Sequence, residues 1–396
     1  MKKARKLIAF ALACTLVLSA ALTGCGTSAA SSTSASGGSE AQPANSTQTA
    51  TLKKFKIGLS IWSTSDSLGK SCSDLVKSSV EALGGEMVVD ASGLTPEKQI
   101  SSVENLISSG CDALTICPFS DSILPKVSQL CTEAKIPFTI YFREIHDAAV
   151  KKSVESSPYY VGNCCEDETT AGYNIAKAMA DKGCKKILLI SMPRGDTTAE
   201  NRENGIAKCL QETGMQIVSE CRDISQASDA TKAVESAIAA FPDLDGVLFA
   251  SFGPAGFGGA IQALKQHDKI GKIYVGSVDF PNDLQESFKN NTVAGMCGGH
   301  FADPMFTVIM LYNRLAGTPL ADKPVTLKLN FAYLKSATDA DNYYKYFTGS
   351  VPVYTGDEVK QMVKYYNKDM TLEKLNQITQ SYGVEDAMKR HKNLVK

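Results

Sequence analysis

The chain has 396 residues, 43% of them hydrophobic and 21% charged, which is enough apolar material for two lobes with ordinary cores. Its formal charge is −1, from 41 Lys and Arg against 42 Asp and Glu. No basic stripe points to nucleic acid, and no long acidic run points to a disordered tail.

The amino terminus reads as an export signal over residues 1–24. Lys2, Lys3, Arg5 and Lys6 precede the apolar run Leu7–Leu22, and small residues follow. That run is short for a spanning helix, which needs about 20 apolar residues. Leu22-Thr23-Gly24-Cys25 resembles the bacterial lipobox. The resemblance implies that Cys25 is lipidated and becomes the first residue of the mature chain. Residues 25–52 are dominated by Gly, Ser, Ala and Thr, so they cannot bury a core and read as a tether. The expectation is an extracytoplasmic body, lipid-anchored to the cell membrane, from a Gram-positive source.

Phe55–Ile61 reads as the first buried strand, followed by a polar turn from Trp62 to Ser67. A helix carries Leu75, Val76 and Val80 and ends at Leu83-Gly84-Gly85. Met87–Asp90 is a second strand. Thr95 caps the next helix, with Pro96 at its first position. From Val103 to Arg143 the order is helix, strand, helix, strand. Gly110 stops the first helix, Ala113–Cys117 is an apolar run closed by Pro118, and Ile123, Val127, Leu130 and Ala134 share one helix face. Pro137–Phe142 is another buried strand, with Arg143 at its carboxyl end. Ligands of doubly wound sheets bind beyond the carboxyl ends of the strands, so Arg143 is placed where a ligand would be.

The rhythm breaks at an extended run, Tyr159–Asn163, and then resumes. Ala171–Met179 is helical, Lys186–Ser191 a buried strand, and a helix follows with Ile206 and Leu210. Met215–Ser219 is a strand, Ala230–Ala240 a helix and Gly246–Ala250 a strand. Ser251–Gly259 reads as a loop into a helix with Ile261 and Leu264; its glycines lack nucleotide-fingerprint spacing and suit close helix packing. Ile273–Val278 is a strand ending at Asp279. Asp283–Phe288 is helical, Thr292–Cys297 a strand, and Val308–Leu315 helical. Two runs of β–α alternation predict an α/β protein with two lobes around a cleft.

Twelve cysteines are present; besides Cys14 and Cys25, ten lie in the body. Cys111, Cys117, Cys164, Cys209 and Cys297 sit in or beside apolar runs, as buried small residues do. No C-x-x-C occurs, so zinc and thioredoxin chemistry have no support. Mostly free thiols are expected, which points to an anaerobic source, with a few disulfides left open.

Several short pieces now fall into a known order. They include Ile57-Gly58-Leu59-Ser60, Gly110-Cys111-Asp112-Ala113, Ile136-Pro137-Phe138, Tyr141-Phe142-Arg143, Asn201-Arg202-Glu203-Asn204-Gly205, and Val275-Gly276 followed by Asp279. From about Phe55 to Tyr333 the chain resembles the type I, ribose-binding-protein-like substrate-binding proteins of ABC sugar transporters. The resemblance implies two Rossmann-like doubly wound lobes, a three-segment hinge and a ligand cleft between them. It places the N-terminal lobe at 53–162 plus about 299–325 and the C-terminal lobe at 163–298 plus about 326–340. Crossovers are expected near 160–166, 277–283 and 298–330, and residues 341–396 form a helical extension. Tyr343, Tyr344, Tyr346 and Phe347 form an aromatic cluster there, and packing or partner contact would explain it.

In sugar-binding members, planar polar groups bond hydroxyls and aromatic rings cover sugar faces. The resemblance therefore makes Trp62, Asp66, Phe142, Arg143, Arg202, Ser251, Phe252, Asp279 and His300 candidate ligand residues. A guanidinium offers a fixed fork of donors to adjacent hydroxyls, and a carboxylate accepts from them. Phe142 stands where the family has Asp, and Gly253-Pro254 interrupts a polar family segment, so the ligand is expected to differ from ribose. No G-x-S-x-G, H-E-x-x-H or P-loop occurs, so the expectation is a binding protein without cofactor or metal, partnered by ABC permease subunits and not by nucleic acid. A ligand sensor for signalling is the alternative on the same fold.

Overall fold

The computed structural model describes residues 52–395, except 92, 94, 223, 225, 282 and 283. The signal segment, Cys25 and most of the tether lie outside the described residues. Among those described, no helix is long and apolar enough to cross a membrane.

The first lobe runs β1 Lys56–Ser60, α1 Ser67–Ala82, β2 Glu86–Asp90, α2 Pro96–Ser108, β3 Ala113–Ile116, α3 Leu124–Ala134, β4 Phe138–Tyr141, α4 Ala148–Glu155 and β5 Tyr160–Glu166. The second runs α5 Glu168–Asp181, β6 Lys186–Ser191, α6 Thr197–Thr213, β7 Gln216–Arg222, α7 Ala227–Ala240, β8 Gly246–Phe249, α8 Gly253–Gln266, β9 Tyr274–Val278, α9 Leu284–Lys289 and β10 Val293–Gly298. The chain then returns through α10 Asp303–Leu315, β11 Val325–Leu329 and β12 Ala332–Leu334. It ends in α11 Ala337–Tyr346, α12 Gly356–Gln361, α13 Leu372–Ser381 and α14 Val384–His391.

The two sheets have matching orders, β2-β1-β3-β4-β5-β11 and β7-β6-β8-β9-β10-β12. All pairs are parallel except β10 with β12. Parallel strands buried on both faces need continuous apolar runs, and β3, β4 and β8 are buried throughout. The capping signals behave as their chemistry requires: Lys98 N–H donates to Thr95 Oγ1 at 3.4 Å, and Pro96 follows the cap. The helix α10 is buried from Asp303 to Asn313, as a helix apolar on every side must be, and it packs on β3, β4, β5 and α1.

The sheets correct the expected lobe boundaries. Strand β5 pairs with β4 as far as Cys164 and with β11 as far as Glu166, so the first lobe extends past residue 162. Strand β11 belongs to the same sheet, so the return segment extends past 325. The chain crosses between sheets after β5, between β10 and α10, and between β11 and β12. Residues 277–283 are no crossover, because β9 and β10 are neighbours in one sheet. The expected loop Ser251–Gly259 is mostly helix α8, and a Cβ on Gly259 would fall 1.9 Å from the Ala227 carbonyl oxygen, so the glycine serves helix packing.

The ten body cysteines are free thiols, and all but Cys221 are buried. Burial pushes the Cys117 thiol up to about 11 and the Cys131 thiol up to about 12, far from the thiolate needed for reactivity. The carboxyl-terminal helices pack across both lobes. Helix α11 lies on α9, α12 on α1, and α13 on β11.

Candidate functional site

The carboxyl ends of β1, β4, β8, β9 and β10 converge on one cleft of about 660 Å³. Eight of the nine candidate residues line it: Trp62, Phe142, Arg143, Arg202, Ser251, Phe252, Asp279 and His300. Its volume is within the range of about 300–1,000 Å³ usual for small-molecule sites.

Arg143 presents the least committed polar group. Its Nη1 donates to the carbonyl of Phe142 at 3.0 Å, and its own carbonyl accepts from Asn163 Nδ2 at 3.0 Å. Among the described residues no carboxylate lies within ion-pair distance of it. The backbone is thus fixed while the side chain borders the cleft with only Nη1 engaged.

Phe142, one residue earlier, has φ 63, Phe252 has φ 64 and Asp279 has φ 71. Left-handed backbone at a non-glycine residue costs about 1–3 kcal/mol and persists only where surroundings enforce it. At Phe142 the N–H donates to Cys164 O at 3.0 Å and to Asp303 Oδ2 at 3.2 Å. At Asp279 the N–H donates to Cys297 O at 2.7 Å. The turn after each strand aims the side chain into the cleft instead of continuing the sheet.

The aromatic wall is built around Phe142. Its ring centroid lies 5.8 Å from Trp62, 5.0 Å from Tyr141 and 5.0 Å from His300. His300 is in turn 5.0 Å from Phe331 and edge-on to it. The His300 side chain is 9% exposed, and its Nδ1 has no hydrogen-bond partner, with Asp279 Oδ1 at 3.7 Å. Burial lowers the His300 pKa, against the pull of Asp279 and Glu168, so the ring is neutral at pH 7.

Two candidates have other duties. Asp66 accepts from the N–H of Gly69 at 2.8 Å as the α1 cap, and from Trp62 Nε1 at 2.9 Å. It orients the tryptophan and borders a neighbouring chamber instead of the main one. Arg202 lines the cleft, but its fork is taken. Nε and Nη2 bond the two oxygens of Glu168 at 2.6 and 3.1 Å, and Nη1 donates to Ala250 O at 2.8 Å. Burial opposes its charge, but Glu168 and Asp279 outweigh that and raise its pKa. Backbone contact between α5 and α6 makes the pair possible: a Cβ on Gly172 would fall 2.0 Å from Arg202 O, and one on Gly205 1.9 Å from Thr169 O.

Sequence reasoning missed Glu166 and the loop residues Arg194 and Asp196, which also line the cleft. Glu166 ends β5 with Oε1 buried and unpartnered. Burial, then the charges of Asp303 and Glu168, raise its pKa well above the carboxylate range. Asp303 is likewise pushed up to about 7, chiefly by burial. The signal for Glu166 was available, since a carboxylate at the end of an apolar strand falls under the same strand-end rule as Arg143. Among the described residues, no group of three or more His, Cys, Asp or Glu could hold a metal ion.

Residues 57–317 match the model of the periplasmic binding protein domain. The chain is 27% identical over 234 residues to a xylitol-binding protein of Mycolicibacterium smegmatis, covering 56% of this chain and 63% of that one. It is 27% identical over 236 residues to the D-xylose-binding periplasmic protein of Escherichia coli, covering 57% and 67%. In structure it is similar to an ABC transporter periplasmic solute-binding protein from Actinobacillus succinogenes with bound D-allose. There the TM-score is 0.64 at 18% identity, over 73% of this chain and 100% of the other, a likeness of fold. The chain belongs to the periplasmic binding protein domain family, with the two-lobed type I fold.

Proposed function

We propose that the protein captures a sugar or sugar-like polyol outside the cytoplasm by closing its lobes over it, and delivers it to an ABC importer. The reading rests on the cleft: an Arg143 fork engaged within the chain only through Nη1, from the first lobe, and the Asp279 carboxylate from the second, beside the rings of Trp62 and Phe142. Donor fork, acceptor and flat apolar faces are the three things a polyhydroxylated ring asks of a site. The relatives that bind xylitol and D-xylose support the same class. The mechanism is capture without covalent chemistry. Closure strips water from the cleft and strengthens each polar contact. Lipidation at Cys25 and the tether through residue 52 would hold the body beside the permease.

Trp62 is the single tryptophan and lines the cleft, so its fluorescence reports binding directly. Titration with pentoses, hexoses, xylitol and myo-inositol is expected to give a saturable change with at least one of them. The same compound should raise the melting temperature by mass action. Flat titrations across the panel, with no melting shift, would overturn the assignment.

A further inference from the structure

A second chamber of about 580 Å³ opens off the main cleft. Trp62, Leu68, Asp279 and His300 line both, so the two chambers adjoin along these side chains. The annexe has a different chemistry. Beside the polar Asp66, Ser71 and Thr348, its walls include Phe280, Leu284, Phe301 and Tyr343. Phe280 and Tyr343 pack edge to face at 4.8 Å, which fixes an aromatic corner. Tyr343 comes from α11, beyond residue 317 where the family match ends. The annexe is therefore partly made by this chain's own extension.

The junction carries an unmet demand. His300 Nδ1 is buried and has no protein partner, and Asp279 Oδ1 sits 3.7 Å away. A ligand oxygen brought against the nitrogen as the lobes close would satisfy it. A free monosaccharide occupies only the main chamber and leaves the aromatic annexe wet. A ligand with an oxygen at the junction and an apolar group beyond it meets both requirements.

We propose that the ligand is a glycoside: a sugar in the main chamber, an oxygen at or beside the glycosidic link against His300, and a flat, aryl-like aglycone in the annexe. This rests on the reading that the main chamber holds a sugar. The aglycone gains because burial of an apolar ring removes it and the partly exposed Leu68 and Phe280 from water together.

Isothermal titration of the purified protein tests it, with free sugars, methyl glycosides and p-nitrophenyl glycosides of xylose, glucose, allose and galactofuranose. For a sugar that binds, the p-nitrophenyl form should bind on the order of tenfold tighter than the methyl form. Ser71→Trp fills the annexe from the surface of α1, and Phe280→Ala removes half of its aromatic corner; each should cut that advantage to below about threefold. Ser71→Trp removes no core side chain, so it separates filling from unfolding. Equal binding of methyl and p-nitrophenyl forms, exclusion of the aryl form while the free sugar binds, or an advantage that survives Ser71→Trp would overturn the glycoside proposal and leave sugar capture standing. Absence of binding by every sugar and glycoside would overturn both.

Discussion

Arg202 and Glu168 face each other side-on, Nε to Oε2 at 2.6 Å and Nη2 to Oε1 at 3.1 Å, and their side chains are 7% and 13% exposed. The pair ties α6 to the first turn of α5, where the chain has just crossed between the sheets. It makes Arg202 a positioning residue for the hinge side of the cleft.

Breaking that pair from one side leaves a buried charge alone. Arg202→Met is expected to lower unfolding free energy by about 3–5 kcal/mol. Urea denaturation measures it. Adding Glu168→Gln should recover part of the loss, because the stranded charge goes with it. A single substitution costing less than about 1 kcal/mol would place the pair among the weak surface bridges.

The hinge also sets a pH dependence. Asp303 is raised from 3.8 to about 7, first by burial, and Glu166 is raised beside it. A raised carboxyl holds its proton in the folded chain after the unfolded chain has released it. Its contribution to stability is complete below the unfolded value and declines as pH rises toward the folded one. His300, with a lowered pKa, acts the opposite way in this window, since folding loses stability as pH falls through its unfolded value. Asp303→Asn keeps an oxygen for the Phe142 N–H and removes the titration. Melting temperature plotted from pH 4.5 to 7.5 should therefore rise more steeply, or fall less, in the variant than in the wild type. Identical slopes would show that Asp303 does not titrate there.

Phe142 offers a backbone test. Its ring is buried against Trp62, Tyr141 and His300, and its φ is 63. Phe142→Ala should destabilise by about 3–5 kcal/mol through lost packing. Phe142→Gly should be more stable than Phe142→Ala by about 1 kcal/mol, the reverse of the usual order, because glycine takes left-handed backbone without penalty. Thermal melts of the two variants decide it; the ordinary Ala-over-Gly order would mean that the backbone relaxes once the ring is gone.

The strand ends were legible in the sequence because buried parallel strands leave short apolar runs with a polar residue just after them. That rule singled out Arg143, the family resemblance added Asp279, and both line the cleft. The rule stopped short at β5, where Cys164-Cys165 hid a strand that continues to Glu166. Asp66 and Arg202 show a different limit. Aspartate suits a helix cap as well as a ligand, and an arginine fork suits a carboxylate of its own chain as well as a hydroxyl pair; only the positions of Gly69, Trp62 and Glu168 decide. Crossover positions depended on which sheet each strand joins, a long-range fact that periodicity does not carry. The annexe was invisible for the same reason, since Leu68, Phe280 and Tyr343 come from three distant stretches.

Sugar capture through Arg143 is the central claim, and isothermal titration of wild type and Arg143→Ala with the compound that perturbs Trp62 fluorescence tests it most directly. A charged donor bonded to ligand hydroxyls contributes about 1.5–3 kcal/mol, so the variant should bind roughly 10- to 150-fold more weakly while its melting temperature without ligand is unchanged. Equal affinity in the two proteins would contradict the account.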